Sequence, residues 1–208
     1  MSPEWFENVC MSSLGHRSSQ EATYDTAIAA LVHDIPGDFV ECGVYAGAQS
    51  ALMAAAIMDH HWGKNGYARD WKPGELRRVH LFDTFTGIPA PGEYDTDLAA
   101  NVGGESACSL EDVRKNMARW MIPDKLLVYW EGPIEDTATQ WEDTQIAVLR
   151  LDLDLYDGTL AALRNLYPFV SPGGYVIVDD FNLAGCRRAV RDYFAKGQPA
   201  PVMWRKPK

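Results

Sequence analysis

The sequence predicts an α/β fold in which one doubly wound, mostly parallel sheet carries helices on both faces. Two observations predict it. Short apolar runs alternate along the chain with stretches of helical spacing, the pattern of βαβ units. The runs also end on acidic residues or glycines, as strands do where they turn into helices at the carboxyl edge of such a sheet. At 208 residues the chain suits a single domain over residues 1–208 with a sizeable core.

The elements follow in order. Residues 1–36 form an N-terminal helical region, in which Ser18 and Glu21 have capping-box spacing and Tyr24, Ile28 and Leu31 recur helically. GDFVECGVYAGAQS then reads as a strand running into a glycine-bearing turn, followed by an Ala-, Leu- and Met-rich helix from Ser50 to Met58. RRVHLFDTF is a second strand ending at Asp83. From Thr86 to Ala107 the composition turns to Gly, Pro, Asp and Ala, and a loop of this length (86–108 at its widest) is expected to be a lid or binding loop. Ser109 and Asp112 cap a helix to about Trp120. LLVYW, IAVLRLDLDLY and GGYVIVDDF are the third, fourth and fifth strands, and a helix from Ala184 to Phe194 precedes a last strand, PVMWR.

Composition excludes several functions. Apolar residues at 47% and charged residues at 23% describe a folded globular chain rather than a disordered one. The formal charge of −10 repels phosphate backbones, so no nucleic-acid partner is expected. Cys10, Cys42, Cys108 and Cys186 are widely spaced, which fits neither a zinc site nor a disulfide framework and points to a reducing compartment. The start, MSPEWFENVC, lacks the basic and apolar regions of a signal peptide, and no run approaches the ~18 apolar residues of a spanning helix. The expectation is a cytoplasmic protein with no membrane partner.

Acidic residues at the strand ends carry the functional signal. Glu41-Cys-Gly43-Val-Tyr45-Ala-Gly47 lacks the GxGxxG spacing of a dinucleotide site. Its glycines let backbone approach a ligand closely. Glu41 is placed to meet the ammonium of a methionine moiety, and Asp83, at the next strand end, to accept from ribose hydroxyls. LDLDLYD and VIVDDF then bring Asp152, Asp179 and Asp180 to the ends of two strands that are expected to be neighbours about 4.8 Å apart. Crowded carboxylates raise one another's pKa unless a cation intervenes. With oxygen ligands alone, Mg²⁺ is the natural choice, then Mn²⁺ or Ca²⁺. Asp154 lies two residues beyond Asp152, on the same side if the strand persists, and is free to act as a base. The histidines, the cysteines, and Arg187, Arg188 and Arg191 read as surface or structural residues.

In order and spacing, FVECGVYAG, LFDTFTGIP, LRLDLDLYDGT, PGGYVIVDDF and GCRRAV resemble the macrocin-type sugar O-methyltransferases of bacterial natural-product pathways, over roughly Gly37 to Ala195. The resemblance implies a Rossmann-like class I methyltransferase fold, S-adenosylmethionine as methyl donor, a Mg²⁺ ion, and a small-molecule acceptor bearing a deoxysugar hydroxyl on a glycosylated metabolite. It implies Asp152, Asp179 and Asp180 as metal ligands and Asp154 as general base. Glu41, Gly43, Tyr45, Ser50 and Asp83 would line the donor pocket, with Gly132 and Ile134-Glu135-Asp136-Thr137 near the adenine. A homodimer is compatible with it. This chain differs from the family in a short N-terminal region, a polar insertion from His60 to Glu75, and one strand rather than two after the last helix. Two other enzyme readings remain: methylation of a catechol or other metal-chelating diol, and glycosyl transfer through the Asp152-Leu-Asp154 DxD pattern. A non-catalytic small-molecule binder is the remaining class.

Overall fold

The computed structural model describes residues 2–65, 77–98, 103–142, 144–194 and 203–207. Six strands form one sheet: β1 (Asp38–Cys42), β2 (Val79–Asp83), β3 (Leu127–Glu131), β4 (Ile146–Leu151), β5 (Val170–Val178) and β6 (Met203–Arg205). Their spatial order is β3-β2-β1-β4-β5-β6, all parallel except β6, which runs antiparallel to β5. β1, β2 and β4 are buried along nearly their whole length. A central parallel strand covered on both faces is apolar along most of its length, which is why these segments read as nearly continuous runs.

The helices are α1 (Pro3–Cys10), α2 (Arg17–Val32), α3 (Ala48–Asn65), α4 (Leu110–Arg119), α5 (Ile134–Thr137), α6 (Tyr156–Leu166) and α7 (Ala184–Phe194). Alternation along each strand divides two cores. Phe39 and Val148 face α2, α3 and α4, among Ala27, Leu52, Met53 and Met117. Val40, Cys42, Leu149 and Leu151 face the other side, among Leu163, Leu166 and Val190 of α6 and α7. By the same alternation Glu41 and Arg150, which are register partners on β1 and β4, both point to the α2–α3 side.

Several sequence expectations change. Ser18 is not the cap of α2: the helix begins at Arg17 after an N-cap at His16 whose side chain makes no capping bond, and Glu21 pairs instead with Arg17 at 2.8 Å. Helix α3 runs seven residues past the expected Met58, to Asn65, taking in the first part of the polar insertion; residues 66–75 of it lie outside the described residues. Two helices, α5 and α6, have no counterpart among the elements read from the sequence. The fourth strand stops at Leu151. Asp154 then adopts a left-handed backbone, φ 60°, so its orientation does not come from strand alternation.

The strand carboxyl ends are stitched together past their last ladder bonds. Gly43 N–H donates to Phe82 O at 2.9 Å, Asp152 N–H to Cys42 O at 2.8 Å, Asp179 N–H to Leu151 O at 2.9 Å and Gly132 N–H to Asp83 O at 3.0 Å. Gly43 has φ 86°, and a Cβ on it would lie 1.6 Å from Asp152 O. Only glycine lets β1 and β4 converge this closely at the point where the strand order reverses, the position at which α/β sheets form their ligand crevice.

Candidate active site

A cavity of about 350 Å³ opens at that crevice. Its floor comes from the strand ends: Glu41, Gly43 and Tyr45 after β1, Asp83 after β2, Gly132 after β3, Asp152 and Asp154 after β4, and Asp179 and Asp180 after β5. Ser13, Leu14 and Gly15, between α1 and α2, and the loop after β2 complete its walls. Of the sequence-predicted residues, Ser50, Asp136 and Thr137 are not on the cavity wall. Ser50 is fully buried and donates its hydroxyl hydrogen to Glu41 Oε2, acting through that carboxylate. Asp136 is exposed, while its neighbours Ile134 and Glu135 line the cavity.

Asp83 holds the turn rather than presenting free oxygens. Its Oδ2 accepts from the N–H groups of Val44 and Tyr45 at 2.6 and 3.1 Å, and its Oδ1 from Phe85 N–H at 2.7 Å. The lone pairs left over are what a ribose would find. Gly43 approaches the Asp152 backbone closely and also lines the cavity.

One oxygen from each of Asp152, Asp179 and Asp180 lies within 4.8 Å of the others. Beneath them sits a residue that strand-end position does not single out. Arg150 is 0% exposed, and its Nη1 donates to Asp152 Oδ2 at 2.7 Å and to Glu41 Oε1 at 3.2 Å, while Nη2 reaches Asp179 Oδ1 at 3.0 Å. Ser19 on α2 also donates to Asp179 Oδ1, at 2.6 Å. Burial opposes the charge on Arg150, but Asp152, Glu41 and Asp179 outweigh it and the guanidinium stays protonated. Part of the charge conflict read from the sequence is therefore settled by the protein itself.

It is not settled fully. Burial, then Asp152 and Asp154, push the Asp180 carboxyl far above the usual range. Burial, then Asp152 and Asp179, push Asp154 up to about 6. Glu41 is pushed up to about 8 by burial, against the pull of Arg150 and the Ser50 hydroxyl. Asp180 also accepts from Asp154 N–H at 3.1 Å, which ties the two segments. An oxygen-only donor set with excess negative charge beyond what Arg150 neutralises fits a hard divalent cation.

A pH dependence follows. Acids whose folded pKa exceeds the unfolded value stabilise fully below the unfolded pKa, and that contribution is lost as pH rises through the folded value. In EDTA the melting temperature is thus expected to fall between about pH 5 and about pH 8, and Mg²⁺ to restore it mainly at the upper end by replacing the protons. A melting temperature indifferent to Mg²⁺ at about pH 8 would count against a metal here.

The loop after β2 is anchored where it is described. Asp95, buried, accepts from Gly92 N–H and from Tyr156 N–H, both at 2.8 Å. Asp97 caps α7 by accepting from Ala184 N–H at 2.9 and 3.1 Å, and the Arg188 guanidinium lies 3.8 Å from the Tyr94 ring centre. Residues 99–102 of the loop lie outside the described residues.

No helix among the described residues is long and apolar enough to cross a membrane. The chain is 37% identical over 168 residues to 8-demethyl-8-(2,3-dimethoxy-alpha-L-rhamnosyl)-tetracenomycin-C 4'-O-methyltransferase of Streptomyces olivaceus, a match covering 78% of this chain and 60% of that one. It is 38% identical over 170 residues to demethyldecarbamoylnovobiocin O-methyltransferase of Streptomyces niveus, covering 79% and 60%. The matches thus span about 60% of the length of these relatives. Among solved structures, the O-methyltransferase NovP superposes with a TM-score of 0.77 at 31% identity, over 95% of this chain and 83% of that one. The sequence profile described as Macrocin-O-methyltransferase (TylF) matches residues 7–204, and with the strand-end carboxylates in a class I methyltransferase fold, this places the chain in the macrocin O-methyltransferase family.

Proposed function

We propose that this chain transfers a methyl group from S-adenosylmethionine to a sugar hydroxyl of a small-molecule natural product, assisted by a Mg²⁺-like cation. The observation that carries the proposal is the convergence of Asp152, Asp179 and Asp180 within 4.8 Å, with Asp154 beside them in the cavity that reaches the Glu41–Tyr45 turn. The names of the relatives support a sugar hydroxyl as the acceptor.

A sulfonium donor supplies an electrophilic methyl group, so the protein's work is alignment and removal of the acceptor proton. Glu41, at the base of the β1–α3 turn, offers a buried carboxylate to the donor's ammonium. Asp152, Asp179 and Asp180 would hold the divalent cation, which supplies Lewis acidity toward an acceptor oxygen. Asp154 takes the hydroxyl proton on its carboxylate. Its backbone bond to Asp180 holds it beside the ligands, and partial burial leaves it more basic than a free aspartate. The loop from Thr86 to Ala107, anchored through Asp95 and Asp97, excludes water from the acceptor. A second reading keeps the same chemistry with a catechol or other vicinal diol as acceptor, because a divalent cation held by these carboxylates would take any chelating oxygen pair.

Calorimetric titration with S-adenosylhomocysteine tests the donor assignment. Micromolar affinity is expected, and Glu41→Gln is expected to weaken it by about tenfold. Absence of binding by the native protein would remove the methyltransferase reading.

A further inference from the structure

Gln49, the second residue of α3, is 5% exposed and lines the cavity. Its Oε1 is buried and accepts no hydrogen bond. Such an acceptor has given up water without replacement, which costs stability, and a native fold keeps one where something else is gained. The other two buried polar side chains on the described wall are committed. Glu41 holds Ser50 and Arg150, and Asp95 holds the backbone of Gly92 and Tyr156.

The carboxamide stands where the β1–α3 turn meets the loop between α1 and α2. Buried Gln20 donates to Cys10 O and Gly15 O at 3.2 and 3.3 Å and so fixes that loop. A Cβ on Gly15 would lie 3.7 Å from Gln49 Nε2 and 3.4 Å from Ser13 Oγ. Ser50, the next residue along α3, holds Glu41 from behind, and Glu41 is the carboxylate offered to the donor's ammonium.

The other half of that amino-acid end is a carboxylate, which needs hydrogen-bond donors. Nine carboxylates line the cavity, and no Lys, Arg or His is among its described lining residues. Asp83 has taken the N–H groups of Val44 and Tyr45, and the Thr84 hydroxyl donates to Gly87 O. Beside Glu41 there remain the Gln49 carboxamide and the first turn of α3, whose dipole favours negative charge.

We propose that Gln49 binds the amino-acid end of the methyl donor as a zwitterion: Oε1 accepts from the ammonium that Glu41 also holds, and Nε2 donates to the carboxylate. Ser50 acts only through Glu41. The inference rests on the methyltransferase reading. A carboxamide suits the task because it carries an acceptor and a two-hydrogen donor side by side without adding charge.

The experiment compares the native protein with Gln49→Met, which keeps the length of the side chain and removes its polar atoms. Binding of S-adenosylhomocysteine to the native protein is measured first by calorimetry; failure there sinks the methyltransferase reading, and this inference with it. The variant is expected to bind S-adenosylhomocysteine at least about tenfold more weakly. It should bind 5′-methylthioadenosine, which lacks the amino-acid end, within about twofold of native. Without ligand it should melt no lower than the native protein, because the unpaired acceptor is gone. Unchanged affinity for S-adenosylhomocysteine overturns the inference and leaves the methyl-transfer reading standing. So does an equal loss for both ligands, or a clearly lower melting temperature, since either gives Gln49 a structural role. If 5′-methylthioadenosine binds neither protein, loss of S-adenosylhomocysteine affinity with the melting temperature held upholds the inference, and any other result overturns it.

Discussion

Asp154→Asn is expected to lower turnover by about 10²- to 10⁴-fold, the range in which positioned general bases act. Asparagine keeps the shape and tolerates the left-handed backbone at this position, φ 60°, so the fold should survive. The amide cannot take a proton. The backbone N–H of residue 154 still donates to Asp180, so the carboxylate cluster keeps its arrangement. Affinities for S-adenosylhomocysteine and for Mn²⁺, read by calorimetry and paramagnetic resonance, should therefore stay within about threefold of native. In the native enzyme the rate should fall as pH drops through about 6, where burial and the neighbouring carboxylates put the Asp154 proton. Turnover close to native in the variant would take the base role away from this residue.

Arg150→Met is expected to have the largest effect on stability. The side chain is fully buried and neutralises Glu41, Asp152 and Asp179 together. Breaking a buried ion pair from one side costs about 3–5 kcal/mol, because the partner is left charged in a poor solvent. A domain of ordinary stability has only about 5–15 kcal/mol to lose. The denaturation midpoint in EDTA should therefore collapse, and Mg²⁺ should restore part of it by supplying positive charge to Asp152 and Asp179. Arg150→Lys should fall between, since one ammonium cannot reach three carboxylates as a planar fork does. A native midpoint for Arg150→Met in EDTA would show that the guanidinium is not the counter-ion of the cluster.

Arg150 also shows what the sequence held without its being read. Within LRLDLDL it is the one cation in an apolar strand, and period-two alternation sets it on the same side as Asp152. Each strand-end acid is individually suited to bind a ligand. The basic residue between them became informative only once Glu41 and Arg150 proved to be register partners. Helix α6 was missed for a similar reason: the run IAVLRLDLDLY looks like one long strand, although Leu160, Leu163 and Leu166 carry the helical spacing that buries them against the sheet.

Local chemistry was enough to determine the α/β class, the approximate strand positions and the identity of the carboxylates at the carboxyl edge. These follow from hydrophobic periodicity and from the residues that turns demand, which are properties of neighbours in the chain. Tertiary structure alone decided which acids are free. Asp83, Asp95 and Asp97 are the same residue type as Asp154 and Asp157, yet the first three are spent on backbone N–H groups of the turn into α3, of α6 and of α7. Long-range pairing assigns those bonds, Asp95 reaching Tyr156 across 61 positions and Asp97 reaching Ala184 across 87. A carboxylate's role depends on which donors the fold brings to it, and no local pattern encodes partners that distant.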